Sequence, residues 1–304
     1  MIKYPKLSEQ KLIERLKYPA GKVRMVLDTD TFNEIDDQFA VVYALQSKEK
    51  MQIEAFYAAP FHNELSTGPK DGMEKSYNEL CKILNVMGKE GEYPVYRGSE
   101  SYLPNAHTPV ESEAARNLVE RAMASSDDDP LYVVAIGAIT NVASAILMEP
   151  AIIEKIVVVW LGGHAFHWPH TKEFNLFQDL HASRIILDSG VPLVLIPCMG
   201  VASHLQTTLS EIRDYVKDKG KIGEYLYETY KNCHDDHFGY SRVIWDISTI
   251  GYLNNESWLP NSLVHSPVLS EDYRWSFDSS RHFIRYVHYV YRDKIFQDLF
   301  RKLV

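Results

Sequence analysis

Five apolar runs, at 23–27, 53–58, 131–136, 156–161 and 193–196, alternate with stretches of helical character, and no other feature of the sequence restricts the fold as much. A strand with one wet face alternates apolar and polar residues. Several of these runs are continuous instead, so their sheet must be covered on both faces. The helical stretches lie between them, at 37–46, 76–87, 112–124, 140–148 and 181–188. Such alternation predicts an α/β fold, a largely parallel central sheet flanked by helices in a Rossmann-like arrangement. Ser8 stands as an N-cap before an amphipathic stretch at 11–16, and Pro19-Ala20-Gly21 ends it, which makes a short helical arm over about residues 1–21. Beyond Pro197 the pattern turns more helical. No repeat, low-complexity tract or flexible linker interrupts the 304 residues, so a single domain is expected.

Ligands of open α/β sheets bind beyond the C-terminal ends of the strands. There, directly behind the first run, Asp28, Asp30, Asp36 and Asp37 fall within ten residues. Carboxylates gathered so closely do not all stay ionised at neutral pH without a bound positive charge or several hydrogen-bond donors. Oxygen ligands with no Cys or His nearby favour a hard ion, Ca2+ or Mg2+, over zinc. Asp is also a favoured helix N-cap, which accounts for one or two of these side chains but not for the whole group.

A net charge of −9, with no cluster of Lys or Arg, argues against nucleic-acid and membrane partners. Cys81, Cys198 and Cys233 share no close spacing and fit a reducing compartment. With neither a signal-peptide core nor an apolar run of membrane-spanning length, a cytoplasmic protein is expected.

Further segments place polar groups behind apolar runs. At 133–141 a strand ends in Gly137-Ala138 and opens a helix; small residues there allow close backbone approach, and a carbonyl freed at the strand end can reach a cation. At 160–175, Gly162-Gly163 leads through His164, His167 and His170 into Glu173-Phe174-Asn175. These histidines are spaced by three, but Gly163 and Pro169 break any helix that would align them, which speaks against zinc. Lastly, Arg242-Val243-Ile244-Trp245-Asp246 sets an acid directly after a bulky apolar patch, a position that also suits a helix cap.

Taken in order, Asp28-Thr29-Asp30 with Asp36-Asp37, then Gly137-Ala138-Ile139-Thr140-Asn141, Glu173-Phe174-Asn175 and the late Asp246 resemble the nucleoside hydrolase family over about residues 23–250. The resemblance is to the inosine/uridine-preferring, Ca2+-dependent N-ribohydrolases. It implies an α/β enzyme that splits the N-glycosidic bond of a ribonucleoside into ribose and free base, and a homodimer or homotetramer. By position it implies Asp30, Asp37 and Asp246 as carboxylate ligands of the ion and Ile136 as a carbonyl ligand. Asp36, Asn63, Glu173 and Asn175 would hold the ribose hydroxyls, and His167 the 5′-hydroxyl. Asp30 would also take the proton of an ion-bound water. Such a site suits the reaction, because glycosidic cleavage passes through an oxocarbenium-like state that carboxylates and amide oxygens stabilise.

The chain departs from the family pattern twice. Five residues, Thr31 to Ile35, separate Asp30 from the Asp36-Asp37 pair, two more than the family usually has, which makes Glu34 an additional candidate for the site. Trp245 stands where some members have a His that protonates the leaving base; the resemblance implies that it stacks on the nucleobase. His234, Asp235, Asp236, His237, His164 and His167 are the candidate acids in its place. Two other readings share parts of the pattern. Asp28-Thr29-Asp30-Thr31 approaches the start of the haloacid-dehalogenase-type Mg2+ phosphatases, although Phe32 stands where they have Thr. A non-catalytic ribosyl-binding protein would keep fold and ion without turnover.

Overall fold

The computed structural model describes residues 3–303; Met1 and Ile2 of the expected N-terminal arm lie outside the described residues. Six strands, β1 (Val23–Thr29), β2 (Met51–Ala58), β3 (Val95–Arg97), β4 (Leu131–Ala135), β5 (Ile156–Leu161) and β6 (Leu193–Ile196), form one parallel array in the order β3-β2-β1-β4-β5-β6. Phe283–Val287 adds a further parallel strand beside β6, and Asn261–His265 closes that edge in the antiparallel sense.

The continuous apolar runs are explained by burial on both faces. In β1, Met25 and Leu27 enter one core while Val26 enters the other; in β5, Val157, Val159 and Leu161 oppose Val158 and Trp160 in the same way. The helices α2 (Asp36–Gln46), α3 (Pro69–Val86), α4 (Glu113–Met123) and α5 (Thr140–Met148) follow the strands, preceded by α1 (Glu9–Arg15). Ser8 caps α1 by accepting from Lys11 N at 3.2 Å, as expected. The arm is tied down by Arg285 Nε on Leu16 O at 2.5 Å and Tyr18 Oη on Leu253 O at 2.8 Å.

Two expectations need correction. The region after Pro197 supplies two strands of the main sheet as well as helices. Phe283–Val287 is only partly buried, so polar Arg285 alternates with apolar neighbours and the run lacks the continuous character of the central strands. The acid pair does not cap α2 either: Ile35 occupies the N-cap without a side-chain bond, and Asp36 and Asp37 lie in the first turn, where the helix dipole favours negative charge. Among the described residues no helix is long and apolar enough to cross a membrane, and Cys81, Cys198 and Cys233 are free.

Candidate active site at the sheet switch point

Strand order reverses between β1 and β4, and their C-terminal ends open the crevice where doubly wound sheets take ligands. Asp30, from the end of β1, lines a pocket there with Asn33, Glu34, Asp36 and Asp37 of the following loop and helix, and with Ile136 from the end of β4. β5 leads to His164, Lys172, Glu173 and Asn175, and β6 to Cys198 and Met199; Trp245 and Asp246 complete the wall. Gly137 is required for this closeness, since a Cβ there would stand 2.8 Å from Asp30 Oδ1.

The carboxylates form the charge problem that the sequence predicts. Asp30, Asp36, Asp37 and Asp246 are all buried. Oxygen atoms of Asp36, Asp37 and Asp246 lie within 4.8 Å of one another, while both oxygens of Asp30 are buried without any hydrogen-bond partner. Burial, followed by repulsion from neighbouring acids, holds Asp30, Asp36 and Asp246 well above the usual carboxylate range. Burial pushes Asp37 up to about 7, against a hydrogen bond of 2.5 Å from Thr29 Oγ1. Asp36 Oδ2 accepts from Trp245 N at 3.1 Å, so the late segment is pinned onto the first turn of α2. A hard divalent cation fits this donor set: anionic oxygens from separate elements, two of them without partners, with no Cys in the cluster.

On the opposite wall, the Glu173 carboxylate caps the short helix Phe174–Gln178. It accepts from Asn175 N at 2.9 Å, Leu176 N at 3.0 Å and Gly163 N at 2.8 Å, yet burial still pushes it up to about 7. Asn175 Nδ2 donates to Ile136 O at 3.2 Å and Leu161 O at 3.1 Å, which leaves its Oδ1 for the pocket. His164 Nδ1 accepts from Met199 N at 3.3 Å, and burial, then nearby His170, pushes this imidazole down to about 4, so it is neutral at pH 7.

The expected residues Asp30, Asp36, Asp37, Ile136, Glu173, Asn175, Trp245 and Asp246 thus meet in one pocket. Three others fall outside its lining. Asp28 is fully buried, its Oδ1 accepting from Asn141 Nδ2 at 2.7 Å. His167 packs near Trp168 and Gly200. Asn63 faces the inserted loop, donating to Asn33 Oδ1 at 2.6 Å and accepting from Leu65 N at 2.8 Å. The candidate acids His234 and His237 stack on Tyr240 and Tyr230 instead of lining the pocket. Sequence reasoning missed Asn33, Lys172, Cys198 and Met199 at the site; only Asn33 left a signal, its place in the longer loop. Glu34 does join the wall, paired with Arg242 at 2.9 Å.

A model of the inosine-uridine preferring nucleoside hydrolase family matches residues 25–282, a span that holds every pocket residue. The chain belongs to that family. Among family relatives, the pyrimidine-specific ribonucleoside hydrolase RihB of Escherichia coli is 31% identical over 181 residues, 56% of this chain and 54% of the relative. The match therefore spans about half the length of that relative. Solved nucleoside hydrolases share the fold. A plant nucleoside hydrolase superposes with a TM-score of 0.75 at 18% identity, covering 94% of this chain and 99% of its own. A purine-preferring ribonucleoside hydrolase from Gardnerella vaginalis gives 0.71 at 18% identity, with 92% and 98% covered.

Proposed function

We propose that this chain hydrolyses the N-glycosidic bond of ribonucleosides, releasing ribose and free base, with Ca2+ as its ion. One observation carries the reading: buried Asp30, with neither carboxylate oxygen partnered, opens on the same pocket as the Asp36, Asp37 and Asp246 cluster, opposite Glu173 and Asn175. Asp30, Asp37 and Asp246, with the carbonyl of Ile136, would hold the ion, and the spacing of the carboxylates brings Asp36 close enough to share in it. A bound Ca2+ supplies positive charge that offsets these carboxylates and acidifies the attacking water.

The side chains do the rest. Asp30 takes the proton from the water that attacks C1′. Asp36 and Asn175 hold ribose hydroxyls, and Glu173 keeps the Gly163 turn and the following helix in register with the sugar. As positive charge develops on the ring, the surrounding carboxylates and the Asn175 amide oxygen stabilise it. Trp245, half-buried against the core and facing the pocket, stacks on the departing base. Residues 1–304 act as one domain in a cytoplasmic homo-oligomer, and the substrate is a small molecule.

The phosphatase reading would need Asp28 as an accessible nucleophile, and its complete burial against Asn141 argues against that. The test is a panel of common ribonucleosides and nicotinamide riboside scored for reducing sugar, with phosphate release from phosphoesters measured in parallel. Ribose release from at least one nucleoside is expected. Phosphate release alone, or ligand binding without any sugar release, would overturn the proposal.

A further inference from the structure

We infer that Asn33, carried by the two-residue extension of the loop behind β1, is a substrate-binding residue whose side-chain amide donates to a ribose hydroxyl. Asn63, the residue expected there, serves as its positioning residue. The inference rests on the ribosyl-hydrolase reading above and names one more contact of the same site.

The loop holds Asn33 from three sides. Its backbone N donates to Asp30 O at 2.7 Å, a tight turn that brings it back over the acid cluster. Its Oδ1 accepts from Asn63 Nδ2 at 2.6 Å, and its carbonyl accepts from the same nitrogen at 3.4 Å. The next residue, Glu34, is clamped to Arg242, so the loop is fastened at its far end to the segment that carries Trp245 and Asp246.

These bonds leave one group over. Asn33 is only 9% exposed and lines the pocket, yet its Nδ2 has no hydrogen-bond partner among the described residues. A donor so placed shares the pocket with the acceptors Asp30 and Asp36. A sugar hydroxyl complements it, accepting from the amide while donating to a carboxylate. Asn63 cannot make that contact itself, because its amide nitrogen is spent on Asn33, its oxygen accepts from Leu65 N, and it lies outside the lining. The chain thus moves the amide from the end of β2 to the end of β1.

Three variants separate the roles. Asn33→Ala removes the amide; Asn33→Asp keeps an acceptor for Asn63 but loses the donor; Asn63→Ala keeps the donor and removes its support. Each is compared with the parent by kcat and KM on inosine and uridine and on their 2′-deoxy and 3′-deoxy forms, after thermal melts establish folding. Both Asn33 variants should lower kcat/KM on the ribonucleoside about tenfold or more. The loss should shrink on the deoxy form that lacks the hydroxyl held. Asn63→Ala should cost less, and adding it to Asn33→Ala should cost nothing further. Losses within about twofold for both Asn33 variants, or equal on all three sugars, would overturn the inference.

Should the parent release no base, the ribosyl-hydrolase reading has failed at turnover and the inference is read from binding. Calorimetry with D-ribose in the presence of Ca2+ should then show weaker binding for Asn33→Ala. A parent that binds no ribose, or an unchanged affinity in the variant, would overturn it.

Discussion

Asp28 and Asp30 stand two residues apart on one strand end, and the fold gives them opposite uses. Asp30 opens on the pocket, while Asp28 is sealed behind it with one oxygen on Asn141 and the other unpartnered. Burial pushes Asp28 up to about 7, against a hydrogen bond from Asn141 that favours its charge. The folded state therefore keeps a proton between the ordinary value of 3.8 and about 7 that the unfolded state gives up, and stability falls as pH rises through that window. Asp28→Asn, which retains the oxygen facing Asn141, should match the parent near pH 4 and exceed it above pH 7 by about 2–4 kcal/mol in chelated protein. Urea unfolding at a series of pH values checks this; a pH-independent difference would contradict it. For Asp30→Asn, which removes the proposed general base, base release should fall by about 10²–10⁴-fold while the fold persists. Retained base release would remove Asp30 from the chemistry. The residues legible in the sequence were those whose chemistry is unusual for their place, the Asp cluster and Glu173-Phe174-Asn175. Asn33 was not, because an Asn in a loop is ordinary until its partners are known.

At the scale of elements, the central strands were legible because they are buried on both faces and read as unbroken apolar runs, as in β5. Phe283–Val287 and Asn261–His265 were not, because half-buried edge strands mix polar and apolar residues. The turns behind the strands line the candidate site. The extended loop is fastened by the Glu34–Arg242 pair at 2.9 Å, which is partly exposed and worth little as an isolated contact. Arg242→Ala should therefore leave the melting temperature nearly unchanged while raising KM severalfold, since it frees the loop that carries Asn33. An equal loss of stability and activity would assign the pair a purely structural role. Trp245 belongs to the late segment pinned to Asp36. Trp245→Ala should weaken purine nucleosides more than D-ribose, and equal losses in competition binding would deny it a stacking role.

At the scale of the whole molecule, four acids gather where the sheet switches direction, and burying Asp30, Asp36, Asp37 and Asp246 together is tolerable only with protons or a cation. The β-α rhythm announced the sheet and its crevice, and the order of the motifs announced the family. What the sequence left unstated was which acids touch, since contact between α2 and the segment at Asp246 depends on packing across some 200 residues of chain. A divalent ion that binds only the folded state should raise the melting temperature, and binding near neutral pH should release protons because raised carboxyls must ionise to ligate it. Titration calorimetry in buffers of different ionisation enthalpy measures that release. The most direct test of the account is ribose release from ribonucleosides by purified protein, before chelation, after it, and after Ca2+ is returned. The account predicts turnover that is lost on chelation and recovered with Ca2+; turnover untouched by chelation, from a protein free of divalent metal, would contradict it.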